Sequence, residues 1–382
     1  MHGPAGFVGV TANLGLKEGA DDFAVVAAPS GPVTSAAVFT RSRFAGASVL
    51  LSRASDLAAF RGMVTISKNA NVATGPTGEA NALEVRRLAA EVVGVRPEEL
   101  LVASTGVIGV QYPMDVLTPA LEKLAGTGAD ADFDAAAAAI MTTDTIAKIE
   151  TRTAGGATIT GIAKGVGMLE PDMATMLTYF FTDAAVPAAE LDAAFRRVVD
   201  RTYNAVSIDT DTSTSDTAAI FASGTAGAVD LGEFEAALYD AALALVKKIA
   251  SDGEGASKLI TVAVSGARDD AQAKRVGKAI VNSPLVKTAV HGADPNWGRV
   301  AMAIGKLREE TDISPEHVRI AFGGTETYPA QVSANLLADL STYLSGDEVS
   351  IEVDLGIASG EFTVYGCDLT DGYIRINADY TT

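Results

Sequence analysis

The stretch from Ile162 to Leu177 constrains the chain more than any other. It contains Gly165, Gly167 and Pro171, and then runs into Met176-Leu177-Thr178-Tyr179-Phe180-Phe181. Glycine and proline interrupt regular structure, so the first part reads as a glycine-rich turn. The short apolar and aromatic run after it reads as a buried strand. Thr175 stands at the junction. A hydroxyl on a tight loop, at the first residue of a rigid strand, has the geometry of a nucleophile. Ala174 is small enough to leave its own carbonyl open to that hydroxyl.

A chain of 382 residues with 48% apolar side chains can enclose such a strand in a large core or two lobes. Its formal charge of −19, from 29 basic and 48 acidic side chains, argues against nucleic acid or an anionic membrane as partner. An anionic small substrate stays open, because backbone donors and single lysines can still bind one. Cys367 is the single cysteine, which excludes an intrachain disulfide framework and an all-cysteine metal site. Met1 to Ala24 lacks a basic segment followed by an apolar one, and no apolar run approaches the roughly 20 residues of a membrane helix. A reducing cytoplasm is the expected setting.

Along the chain, strand-like and helix-like pieces alternate. Phe23–Ala27, Ala36–Thr40, Met63–Ile66 and Leu100–Ala103 read as strands, as do Leu259–Val264, Val318–Phe322, Val349–Val353 and Phe362–Val364. Ala82, Val85, Ala89 and Val92 recur at helical spacing, and helices are predicted from Pro113 to Leu124 and from Phe133 to Met141. Pro187 marks another helix start, with Leu191, Phe195 and Val198 on one face. Phe234, Leu238, Leu245 and Ile249 line a longer helix that stops at Asp252-Gly253, and Val332–Leu344 is a further one. The pattern is mixed α/β, and neither half is strictly βαβ, which disfavours a doubly wound parallel sheet. Repeats and linkers are absent. The one division of the polypeptide is at Ala174-Thr175, a chemical boundary between 1–174 and 175–382.

The chemistry is narrowed by what is scarce. His2, His291 and His317 leave little scope for a Ser/His/Asp arrangement. His291 lies in a loop-like polar setting and is more often structural than catalytic, while His317 begins a strand at the surface. Cys367, in an apolar context, reads as inert core. A threonine nucleophile needs a base, and its own α-amine can serve once the preceding bond is cut, because that amine titrates near pH 8. Asp209, Asp211, Ser213 and Ser215 have the spacing of a calcium loop, but Thr214 replaces its glycine and Ile220 its glutamate, so no metal is expected. No phosphate loop or dinucleotide fingerprint is present, and no cofactor is expected. Taken singly, Lys164 and Glu254 are ordinary surface charges, Thr105-Gly106 a turn, and Thr142 a hydroxyl at a helix end.

Together these residues carry a resemblance. Lys164 to Met168 and Pro171 to Leu177 resemble the self-cleavage signature of the ornithine acetyltransferases, also called glutamate N-acetyltransferases, of arginine biosynthesis. The likeness extends to Ala103–Gly109, Met141–Thr145, Ser251–Gly255, Gly366–Thr370 and Asn377–Thr382, nearly the whole chain. Ser207–Asp216 and His291–Arg299 are worded most like the actinobacterial members, one of which is associated with clavulanic acid clusters.

The resemblance implies an α/β sandwich of stacked sheets flanked by helices, self-cleaved between Ala174 and Thr175. Thr175 becomes the nucleophile, with Thr105 and Gly106 as the oxyanion-hole pair. Thr142, Lys164, Thr175, Glu254, Asn377 and Thr382 become substrate contacts. Acetyl passes from N-acetylornithine to glutamate through an acetyl-enzyme, and the halves stay together as an α₂β₂ tetramer. Two rivals remain: a self-processing aminopeptidase, in which water takes the acyl group, and an uncleaved binding protein.

Overall fold

The computed structural model describes residues 3–170 and 176–379. The calls on Pro171, Asp172, Met173, Ala174, Thr175 and Thr382 lie outside the described residues. Among the described residues the fold is built on three sheets. The first has five strands in the order Leu100–Val107, Gly62–Asn69, Phe23–Ala27, Val8–Ala12 and Ala129–Asp130. The second, also five-stranded, runs Thr34–Phe39, Thr217–Ala228, Leu177–Ala185, Ala157–Lys164 and Lys148–Ala154. The third has six strands, with Leu259–Ala267, Glu348–Asp354 and Gly360–Cys367 at its centre.

Burial follows from how these sheets stack. In Phe23–Ala28, Phe23, Val25 and Ala27 face the helices Gly75–Val93 and Met114–Leu124, while Ala24, Val26 and Ala28 face the second sheet. Leu100–Ala103 divides the same way. The second sheet meets the first through Leu177, Tyr179, Phe181 and Phe221, and turns Phe180, Ile220 and Ala222 toward the helices Ala188–Arg201 and Leu231–Ser251. Strands buried on both faces need apolar residues at successive positions, which is why they appear as continuous runs rather than alternation. The third sheet buries Ile260, Val262, Val264, Ile351 and Val353 in the same core that receives the long helix. The result is the stacked α/β sandwich flanked by helices. Both the first and second sheets mix parallel and antiparallel pairs, in place of a doubly wound sheet.

The strand Leu177–Ala185 sits at the middle of the second sheet. It pairs in parallel with Thr217–Ala228 and antiparallel with Ala157–Lys164. Strands from before and after residue 175 are thus interleaved in one sheet. Phe181 is the packing centre: its ring lies 5.3 Å from Phe7, 5.0 Å from Phe133 and 5.5 Å from Phe221.

Two local readings are corrected. Ile162, Ala163 and Lys164 are not part of a turn but end a strand, and the chain leaves the sheet at Gly165, where φ is +144°. His291 is not in a loop; it ends the helix Pro284–His291. Among the described residues no helix is long and apolar enough to cross a membrane. Phe181→Ala is expected to cost about 3–5 kcal/mol of stability, as aromatic truncation in a packed core does. Urea unfolding measures it, and a loss below about 1 kcal/mol would contradict the central place given to this ring.

Candidate active site

The strand ends at one edge of the stacked sheets converge on a cavity of ≈ 460 Å³. Thr105 and Gly106 reach it from Leu100–Val107, which pairs in parallel with Gly62–Asn69 through Ser67–Thr105 and Lys68–Gly106. The register slips at Lys68 and Asn69, so the predicted turn at Thr105-Gly106 is instead an irregular strand end. Gly106 has φ of +132°, and a Cβ there would lie 2.2 Å from the Lys68 carbonyl carbon and 2.4 Å from its oxygen. Only glycine lets the two strands approach this closely.

Lys164 enters from the second sheet as the last residue of Ala157–Lys164, paired across to Leu177. Its side chain is partly buried rather than solvated, and Nζ donates to Thr105 Oγ1 at 3.2 Å. Burial pushes the ammonium below its ordinary pKa; Asp144, Asp216 and Glu254 oppose that shift, and Lys148 adds to it. Glu254 follows the end of the helix Leu231–Ser251, where its N–H donates to the Val166 carbonyl at 2.8 Å. Its carboxylate accepts from the Thr143 hydroxyl at 3.1 Å and from Asn377 Nδ2 at 2.9 Å. Asn377 belongs to the C-terminal helix Asp371–Asp379. Thr142 lines the same cavity, and its N–H donates to Asp144 Oδ2 at 3.1 Å.

Thr105, Gly106, Thr142, Lys164, Glu254 and Asn377 therefore share one cavity, although they come from distant parts of the sequence. Thr175, Ala174 and Thr382 lie outside the described residues.

Sequence reasoning missed the support beneath this cavity. Lys148 is fully buried between two carboxylates, 2.7 Å from Asp144 Oδ1 and 2.6 Å from Asp252 Oδ2. Asp144 Oδ1 also accepts the Gly165 N–H at 2.7 Å, and Asp252 accepts the N–H and the hydroxyl of Thr145. The only sequence hint is the run of short hydroxyl side chains, Thr142, Thr143 and Thr145, around Asp144. Tyr373 and Asp209 also line the cavity and were not singled out as substrate contacts. The Asp209 carboxylate accepts the N–H groups of Met168 and Leu169 at 2.7 and 2.8 Å, so it fixes the loop after Lys164.

The other catalytic candidates have structural surroundings. Cys367 is buried, which pushes its thiol up to about 11 and leaves it protonated at neutral pH. His291 Nδ1 lies 2.9 Å from Asp368 Oδ2, tying a helix end to the sheet.

A family model described as the ArgJ family matches residues 9–382. The chain belongs to that family. It is 62% identical over 387 residues to the Glutamate N-acetyltransferase Oat2 of Streptomyces clavuligerus, covering 99% of this chain and 98% of that protein. It is 56% identical over 383 residues to the Arginine biosynthesis bifunctional protein ArgJ of Rhodococcoides fascians, covering 99% and 94%. The crystal structure of the argJ protein of Bacillus halodurans matches at 40% identity with a TM-score of 0.49, covering 52% of this chain and 96% of the solved one. The ArgJ identification agrees with the resemblance carried by the motifs around Lys164 and Leu177.

Asp368 gives this ArgJ chain a testable acid response. Burial raises its pKa, but hydrogen bonds from the Ser257 hydroxyl and N–H, from His291 and from the Lys258 N–H hold it below the ordinary value. A depressed native pKa adds stability that is complete above the unfolded value, near 3.9, and is lost as pH falls through the native one. Asp368→Asn should cost about 1–3 kcal/mol at neutral pH and flatten the loss of stability below about pH 4. Urea unfolding across that range checks it; an equally steep acid loss in the variant is the contrary result.

Proposed function

We propose that this chain is an acyltransferase that cuts itself between Ala174 and Thr175 and then moves acetyl from N-acetylornithine to glutamate. In the cut, the Thr175 hydroxyl adds to the Ala174 carbonyl, the C–N bond breaks, and water opens the resulting ester. The products are residues 1–174, ending in a carboxylate, and 175–382, beginning with a free amine. That amine then serves as base for its own hydroxyl.

In the first half-reaction the hydroxyl adds to the acetyl carbonyl of N-acetylornithine and the Thr105 hydroxyl and Gly106 N–H take the developing negative charge. The ornithine nitrogen leaves with a proton from the α-ammonium, and acetyl remains as an ester on Thr175. In the second, the amine of glutamate takes the acetyl by the reverse path. Lys164 suits an α-carboxylate common to both amino acids, and Glu254 suits the side-chain ammonium of the ornithine substrate. Thr142, Asn377 and Thr382 supply hydrogen bonds.

One observation carries this reading: Lys164, Thr105 and Glu254 meet in a cavity whose wall reaches Lys164, directly across the sheet from Leu177. Leu177 is two residues beyond Thr175. Acyl transfer by an N-terminal threonine fits a cavity lined by Thr105, Thr142, Thr143 and Lys164. The interleaved sheet supports halves that stay joined after the cut, and pairing of two such units into an α₂β₂ tetramer in the cytoplasm belongs to the same proposal.

Mass spectrometry of purified protein should find fragments ending at Ala174 and beginning at Thr175, with an acetyl group on the second after treatment with N-acetylornithine. Thr175→Ala should give one uncut chain without transfer; two fragments and normal turnover would end the proposal, and release of free acetate without acetylglutamate would favour the hydrolase instead. Thr105→Val should lower kcat roughly 10²–10³-fold in steady-state assays, the usual effect of losing one oxyanion donor. A change confined to KM would place Thr105 in substrate binding only.

A further inference from the structure

We propose that Asp144 is a positioning residue that acts through Lys164 to fix the direction of the Thr105 hydroxyl proton, an inference that rests on the acetyl-transfer reading above. An ammonium has three donors and no acceptor. In the 3.2 Å contact between Lys164 Nζ and Thr105 Oγ1, the threonine oxygen therefore accepts, and its single proton points elsewhere, free for a charge developing in the cavity. A neutral Lys164 would carry a lone pair able to accept that proton and turn it out of the cavity. Thr105 thus works as a donor only while Lys164 stays charged.

That charge depends on its neighbours, because burial works against it. Among the described residues, the charged groups facing Lys164 are Asp144 from the loop after the helix Phe133–Ala139, Lys148 from the edge strand, Asp216 just before Thr217–Ala228, Glu254 after the long helix, and Lys17 from the loop before Phe23–Ala27. Asp144 is the strongest of the opposing charges.

Its position is fixed independently of Lys164. One oxygen accepts the Gly165 N–H at 2.7 Å, anchoring Asp144 to the residue next to Lys164, and the other accepts the Thr142 N–H at 3.1 Å. Lys148 holds the same carboxylate from behind at 2.7 Å, and Asp252 in turn offsets Lys148 at 2.6 Å. Lys148, Asp144 and Asp252 thus form a buried, hydrogen-bonded set with one negative charge in excess, and Asp144 is its member bonded to the backbone beside Lys164.

The test is the pH profile of kcat for the processed enzyme, with thermal unfolding as the control for folding. Asp144→Asn keeps an oxygen for the Gly165 N–H and removes the charge. It should move the alkaline limb to lower pH and cut turnover there by roughly tenfold or more, with the acid limb in place. Lys164→Arg should remove the alkaline limb, since a guanidinium donates without titrating. An unmoved limb, or a loss equal at every pH, overturns the inference.

If Asp144→Asn does not mature, Lys148→Met removes the competing ammonium and must move the limb to higher pH; no shift, or the opposite shift, is equally fatal. Absence of acetyl transfer in the unaltered protein would sink the functional reading instead. The Lys164 ammonium resonance, followed by NMR with isotope-labelled lysine, would still have to titrate at lower pH in Asp144→Asn for the coupling to stand.

Discussion

The structure depends on one strand being held from every side. Leu177–Ala185 is hydrogen-bonded along both edges, and its two faces are buried against different layers. Leu177, Tyr179 and Phe181 lock it to the first sheet, while Phe180 and Ala184 lock it to the helical layer. A strand gripped in this way cannot slip in register without turning its whole buried set onto the wrong face. The point where the chain enters the strand is therefore defined by packing, and so are the strand ends beside it that carry Lys164 and, in the neighbouring sheet, Thr105.

Around that fixed edge the chemistry is electrostatic. A chain with an excess of acidic groups gathers Lys17, Lys148 and Lys164 near one end of its sheets and offsets them with Asp22, Asp144 and Asp252. Burying charges is costly unless each is paired and hydrogen-bonded, and here backbone N–H groups of Thr142, Thr145 and Gly165 complete the pairing. The same bonds that satisfy the carboxylates tie together the three segments that bear Thr142, Lys164 and Glu254. Stability and the shape of the cavity are secured by one set of contacts.

Much of this was legible in the sequence, for physical reasons that differ between elements. Phe23–Ala27 and Leu100–Ala103 could be read because burial on both faces demands unbroken apolar runs. Helix faces such as Leu191, Phe195 and Val198 could be read from their spacing, and all three are buried. Lys148–Ala154 escaped, because an edge strand with Lys148, Glu150 and Arg152 has the composition of a surface segment. Thr217–Ala228 escaped because alanine and glycine carry little strand signal, although it lies beside the central strand. The cavity residues were found through their joint likeness to a family, since each alone is commonplace. Lys148 between its two aspartates left no mark of its own in the sequence beyond the hydroxyl run around Asp144: a charge buried by tertiary contacts looks the same in sequence as one in water.

The interleaving of the second sheet bears on the order of events in the life of this chain. Thr34–Phe39, Lys148–Ala154 and Ala157–Lys164 come from one side of residue 175, and Leu177–Ala185 and Thr217–Ala228 from the other. Synthesised apart, each piece would display bare strand edges and a dry aromatic face, the surfaces on which chains aggregate. On the proposed cut between Ala174 and Thr175, scission would come late, after the sheet has closed, and the two polypeptides would stay joined by the strand pairing and aromatic packing that they share.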